Sequence, residues 1–268
     1  MRQARASFVL VALLCGISLA PAPAFGDKTF DYAPFARVLR EYVTEQGYVR
    51  YTELQTNRAD LDAFCAQLAE TSPENSPELF PTREDQLAYW INAYNAIVMK
   101  AVLDRYPIES VGDASYLFGF FWKLQFAVGG RQRTLNEIEH GILRPRFRDP
   151  RVHFAINCAS ESCPRLTREP FLPQTLHEQL DAAARAFLGE ARNVRPEPQR
   201  NLLHLSMIFN WFLDDFRNYV RETQNKRYPS VLDFIQLYAS PELKSYIENQ
   251  KPAIRYIDYD WSLNDARN

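Results

Sequence analysis

The sequence predicts an α+β fold, predominantly helical, with a small antiparallel sheet. Three observations carry that expectation. Apolar residues recur at helical spacing in most of the chain, stretches with strand character are short and few, and Gly129-Gly130 sets a hairpin turn between two of them. The composition agrees: 46% hydrophobic and 24% charged residues among 268, with only 9 glycines, describe a packed globular chain and exclude a disordered or collagenous one.

The elements come in this order. Phe35, Val38, Leu39 and Tyr42 put a helix over residues 31–43, ended by Gly47, and residues 48–51 read as a short strand. A second helix, capped at Thr52 or Asn57, runs to residue 71 on Leu61, Phe64, Cys65 and Leu68; residues 72–81 form a polar loop. The strongest helical signal spans 83–106, where Leu87, Trp90, Ile91, Tyr94, Ile97 and Val98 form a continuous stripe stopped by Pro107. An aromatic run over 116–126 leads into two strands, 125–128 and 131–134, on either side of the glycine pair. A short helix over 135–143 stops at Pro145, and the apolar run 152–157 reads as a buried strand. A helix over 174–188, strands at 193–195 and 201–205, and helices at 207–220, 230–238 and 241–249 come next. An extended segment, 254–259, closes the pattern before Trp261; Trp211, Phe212 and Phe216 read as core.

Charge and the first residues bound the setting. Thirty-one basic against 33 acidic residues leave a formal charge of −2, so no whole-chain field holds nucleic acid and no such partner is expected. Residues 1–24 read as a secretory signal peptide, with Arg2 and Arg5 ahead of an apolar stretch from Phe8 to Leu19 and the small-x-small triplet Ala22-Pro23-Ala24. That stretch is shorter than the roughly 20 residues of a membrane span. The expected mature chain is therefore periplasmic or secreted, without stable membrane insertion, in a compartment where disulfides persist. Its expected division is an N-terminal helical extension over 25–84 and a main domain over 85–268.

The densest chemical cluster runs from Val152 to Pro164, where a buried segment delivers Cys158, Ser160 and Cys163 into one polar turn. Rigid segment ends are where reactive groups are held in place. Glu137 and His140, three apart, share one face of a helix, whereas Glu139 points elsewhere. In that geometry Glu137 orients His140, which takes the proton of Cys158; His153 is the substitute base. Amides of Ala159 and Ser160, or Asn92, would hold an oxyanion, with Asn95, Asn157 and Ser160 as further binding residues.

Each element has a second reading. Cys158 and Cys163 can close a disulfide, which would mask the nucleophile. Cys15 leaves with the signal peptide and Cys65 belongs to a helical stripe, so one thiol of the mature chain is unpaired. His140, His153, Cys158 and Cys163 are ligand types for zinc, but no CxxC pair or HExxH motif spaces them for it, so neither metal nor cofactor is expected. His153 also fits a hydrogen-bonded core histidine, Asn92 and Asn95 fit loop anchors, and Asp215 fits a buried hydrogen-bonding residue. His177 and His204 carry no pattern.

Three motifs in order resemble the family called domain of unknown function 547. They are Tyr89-Trp90-Ile91-Asn92-Ala93-Tyr94-Asn95-Ala96, then Ile138-Glu139-His140-Gly141-Ile142-Leu143-Arg144, then His153-Phe154-Ala155-Ile156-Asn157-Cys158-Ala159-Ser160 continued by Ser162-Cys163-Pro164. Trp211 to Phe216 and Trp261-Ser262-Leu263-Asn264 also fit. The resemblance implies that the helix asparagines, Glu139-His140 and the Asn157-Cys158 turn belong to one site, and it favours Glu139 over Glu137 as the acidic member. A histidine preceding an Asn-Cys pair is also similar in order to circularly permuted papain-like enzymes. The expected function is an exported thiol-dependent hydrolase or acyltransferase acting on a small-molecule or peptide substrate. The competing expectation is a non-enzymatic envelope binding or structural module stapled by a Cys158–Cys163 disulfide.

Overall fold

The computed structural model describes residues 29–112 and 119–266. The expected signal peptide with Cys15, and residues 116 and 118 of the aromatic run, lie outside them. The first helices, α1 (Ala33–Tyr42), α2 (Tyr51–Thr56) and α3 (Ala59–Glu70), lead to the 21-residue α4 (Arg83–Leu103). Helix α4 starts on a reciprocal capping box: the Asp85 amide donates to Thr82 Oγ1 at 3.0 Å and the Thr82 amide donates to Asp85 Oδ2 at 2.9 Å. It is buried on nearly every side, which makes it the axis on which the rest packs. Phe30, Phe35 and Phe64 from the expected N-terminal extension lie in the same core as α4, with the Phe30 and Tyr89 rings 5.2 Å apart edge-on.

After α5 (Gly119–Trp122), β1 (Phe126–Val128) and β2 (Arg131–Arg133) pair antiparallel across Gly129-Gly130, as the turn signal predicts. Both glycines have positive φ, and a Cβ on Gly129 would come within 2.1 Å of Ser72 Oγ. Further on come α6 (Leu176–Leu188), β3 (Val194–Glu197), β4 (Leu202–Ser206), α7 (Ile208–Trp211), α8 (Leu213–Thr223), α9 (Val231–Tyr238), α10 (Pro241–Gln250) and β5 (Ala253–Ile257). β4 pairs antiparallel with β3 but parallel with β5. The expected all-antiparallel sheet is thus mixed: helices α7 to α10 form the crossover that parallel neighbours require. Among the described residues no helix is long and apolar enough to cross a membrane.

Three local expectations change. Residues 48–51 form no strand; Val49 makes isolated bridges to Val43 and Asp265, and Tyr51 already begins α2. The apolar run 152–157 is not a strand either. Asp149 accepts from the Arg151 amide at 3.0 Å and Pro150 comes next, which starts a 3₁₀-helix over Pro150–Phe154. A short buried run has no period that separates the two outcomes. Third, the helix expected to stop at Pro145 continues as a π-helix over Glu137–Phe147, with Pro145 inside it.

Two apolar cores result. One gathers α1 to α4, the π-helix and the start of α6, the other gathers the end of α6, α7 to α10 and the three-stranded sheet. Segment 150–157 runs between them, with Val152, Ala155 and Ile156 in the first and Phe154 in the second. The turn that begins at Asn157 is therefore held from both sides.

Candidate functional site

A pocket lies at that junction. Tyr94 of α4, Glu139 and His140 of the π-helix, His153 of the 3₁₀-helix and both Cys158 and Cys163 line it. Phe121, Trp122, Trp211, Phe212, Tyr259 and Trp261 supply aromatic walls. Trp122 and Trp211 are 61% and 43% exposed. Trp211, expected in the core, instead meets Tyr259 and Trp261 in a ring cluster at the pocket.

The turn that carries the cysteines is pinned by buried amides. Asn95 donates to the Ala155 carbonyl at 2.9 Å and accepts from the Asn157 amide at 2.8 Å, standing where a neighbouring strand would. Asn157 donates to the Pro164 carbonyl at 2.6 Å and accepts from the Ala159 amide at 2.7 Å. Asn92 holds both backbone groups of Phe171, at 2.7 and 3.0 Å. Asn92, Asn95 and Asn157, expected from sequence as binding residues, are thus spent on backbone, and so is the Ala159 amide expected at an oxyanion. Ala159 sits at φ +61, a conformation costly for a residue with a Cβ, which these bonds sustain. Inside the turn Cys158 and Cys163 are joined, with S–S 2.13 Å. Among the described residues Cys65 is the free cysteine, and burial pushes its thiol up to about 12.

Glu137 does not meet His140. Its carboxylate accepts from the Thr134 amide at 2.7 Å and from Thr134 Oγ1, closing the start of the helix. The i→i+5 bonding of a π-helix spreads each turn over more residues, so neighbours diverge less and Glu139 and His140 both face the pocket. Glu137 would share the face of His140 only in α geometry. Tyr94 donates to Glu139 Oε2 at 3.2 Å. Burial pushes the Glu139 carboxyl up to about 7, against the pull of that hydrogen bond and of the Arg144 charge.

One salt bridge sets both histidines. Arg144 Nε and Nη2 grip Asp215 at 2.6 and 3.0 Å, and its Nη1 lies 2.6 Å from His140 Nδ1. His153 Nε2 lies 2.9 Å from Asp215 Oδ2. Burial opposes ionisation of Asp215, but the bonds from His153 and Arg144 prevail and hold its carboxyl far below the usual range. An ionised carboxylate only accepts and a guanidinium only donates. The proton of His153 is therefore on Nε2, and that of His140 is also on Nε2, leaving Nδ1 to accept from Arg144. Burial depresses both imidazoles, with the Arg144 charge adding to it, so both are neutral near pH 7. His153 then keeps a bare Nδ1, which is buried and has no hydrogen-bond partner among the described residues.

Sequence reading did not single out Arg144, Asp215, Tyr94 or Tyr259 for this site. Arg144 and Asp215 lie within motifs on which the family resemblance rests, which was the available signal; Tyr259 had none. Residues 79–188 match the family model described as Protein of unknown function, DUF547. No curated protein and no solved structure matches the chain.

Glu139 yields a pH test. Its folded pKa, about 7, lies above the ordinary 4.5, so the folded state holds a proton that the unfolded chain has shed between those values. Its contribution to stability is highest below pH 4.5 and falls as pH rises to 7. Glu139→Gln is expected to leave Tm unchanged at pH 4.5 and to raise it increasingly towards pH 8, as read by calorimetry. A pH-independent difference would contradict the raised pKa.

Proposed function

With residues 79–188 carrying the domain of unknown function 547, a family name that assigns no chemistry, we propose from the site itself an exported thiol-dependent hydrolase or acyltransferase. Its substrate is a small molecule or peptide with an apolar or aromatic group for the pocket walls. The single observation that carries this reading is the bare, buried Nδ1 of His153, whose proton is fixed on Nε2 by Asp215. In the reduced protein Nδ1 takes the Cys158 proton, and Asp215 steadies the imidazolium. The thiolate attacks the acyl carbon, and His153 returns the proton to the leaving group. Glu139, half protonated near pH 7, is a second proton donor lining the pocket. His153 with Asp215 thus takes the part first expected of His140 with Glu137. Export rests on residues 1–24 and suits a chain whose cysteines pair.

The test is alkylation of Cys158 by iodoacetamide, followed by mass spectrometry. Labelling is expected only after reduction. At pH 7 it is expected to be about tenfold faster than in His153→Gln, because the neutral imidazole takes the thiol proton as the sulfur attacks. Equal rates in the two proteins, with unchanged circular dichroism, would discard the base.

The closed Cys158–Cys163 bond favours a second reading, a non-enzymatic binding or structural module with the cysteine pair as a staple. It requires Cys158→Ala and Cys163→Ala to lower Tm equally.

A further inference from the structure

The two sulfurs differ in their surroundings. Cys163 is 4% exposed, whereas Cys158 is partly open to the pocket. The Cys158 amide lies 2.9 Å from Cys163 Sγ and donates to it. Tyr259 Oη lies 3.2 Å from Cys163 Sγ and 3.3 Å from Cys158 Sγ. Ser160 Oγ lies 3.4 Å and 3.0 Å from the same two atoms. Burial keeps the Tyr259 hydroxyl protonated, so it remains a donor. Two hydroxyls can therefore turn towards whichever sulfur carries charge, while a fixed amide serves Cys163 alone. A sulfur ringed by donors is a good leaving group, because departure as a thiolate is what those donors stabilise.

The turn is also fixed from outside. Ser160 bridges to Leu263, the Glu161 amide donates to the Ser262 carbonyl at 2.8 Å, and the Ser162 amide donates to the Asp260 carbonyl at 3.1 Å. The segment that carries Tyr259 is thus tied along the cysteine turn, and the donor set is already formed around the closed bond. A disulfide serving only to staple this turn needs none of it.

We propose that the Cys158–Cys163 pair is a thiol–disulfide exchange site for thiol-bearing small molecules that enter the aromatic pocket. The incoming thiolate attacks Cys158 Sγ, the more exposed atom. A new S–S bond forms there while the Cys158–Cys163 bond breaks, and its electron pair leaves on Cys163 Sγ. A second thiolate then attacks the small-molecule sulfur of the mixed disulfide, releasing Cys158. Two thiols are oxidised to one disulfide, the cysteine pair gains two electrons, and the two protons shed by the thiols pass to the cysteine sulfurs. The exchange stands without the acyl-transfer reading; it also supplies the reduced Cys158 which that reading needs.

The probe is reduced glutathione, added to the full chain without denaturant and followed by acid quench and peptide mass mapping. Opening of the wild-type disulfide is expected within minutes. Cys163→Ser, loaded from oxidised glutathione, is expected to hold the adduct on Cys158, and Cys158→Ser to hold about tenfold less on Cys163. Tyr259→Phe is expected to slow opening about tenfold, the loss due to one hydrogen bond to a charged sulfur. Ser160→Ala is a second, smaller change with a lesser slowing in the same direction. A disulfide that resists glutathione yet opens to dithiothreitol in denaturant would overturn the proposal. So would equal adducts on the two cysteines, or wild-type rates in both hydroxyl variants. Failure of the acyl-transfer reading leaves these readouts untouched, because none of them uses an acyl donor or an alkylator.

Discussion

Arg151→Ala is expected to lower the free energy of unfolding by about 3–5 kcal/mol, the cost of leaving a buried ionic partner uncompensated. The Arg151 side chain is 8% exposed. It reaches Asp149 through Nη2 at 2.6 Å and Nε at 3.0 Å, Asp181 through Nη1 at 2.6 Å, and His177 Nδ1 through Nη2 at 3.0 Å. One guanidinium therefore ties the cap of the 3₁₀-helix to α6, and no point charge reproduces that fork. Arg151→Lys should recover only part of the loss. Urea denaturation monitored by fluorescence measures both; a change below about 1 kcal/mol for the alanine variant would mean that the pair merely offsets its own desolvation. The 3₁₀-helix also delivers His153, so the same variant should speed hydrogen exchange over residues 150–157 more than elsewhere.

Asp215→Ala is expected to act on stability and on the site together. It removes the acceptor of His153 Nε2 and the bidentate partner of Arg144, whose remaining hydrogen-bond partner at the site is His140. Asp215 is a quarter exposed, so the cost is set below the fully buried case, at about 2–3 kcal/mol. The distinguishing outcome is the proton of His153. With Asp215 present, the nitrogen NMR signature should show Nε2–H and bare Nδ1; without it, both tautomers should populate. Asp215→Asn keeps the shape and removes the charge, which separates packing from electrostatics. A His153 tautomer unaffected in both variants would remove the carboxylate from any role in setting the base.

These two residues mark where sequence reasoning stops. Arg151 and Asp149 are two apart, but Asp181 and His177 lie on another helix, and nothing in their spacing announces a meeting. Asp215 reads as a hydrogen-bonding residue, but nothing in its spacing names Arg144 and His153 as its partners. His140 was readable from its spacing, whereas Glu139 was readable as the acidic member only through its motif. The helical-face rule pointed to Glu137, because it presumes 3.6 residues per turn in a segment that folds as a π-helix. The cysteine pair was legible as a pair, by its spacing and the expected compartment. The donors around it were not, since Tyr259 lies about a hundred positions away in sequence.

Sequence alone determined most of the helical segments, the hairpin and the predominance of α structure, because apolar period and turn glycines act over a few residues. It also named five residues that line the pocket: Glu139, His140, His153, Cys158 and Cys163. Only the tertiary structure decided what each does there. Packing two cores against one segment turned three asparagines into backbone anchors. It also set a partly buried Arg–Asp pair between two histidines. Tautomer, ionisation and leaving-group character depend on neighbours within a few ångströms, and those neighbours come from distant parts of the chain.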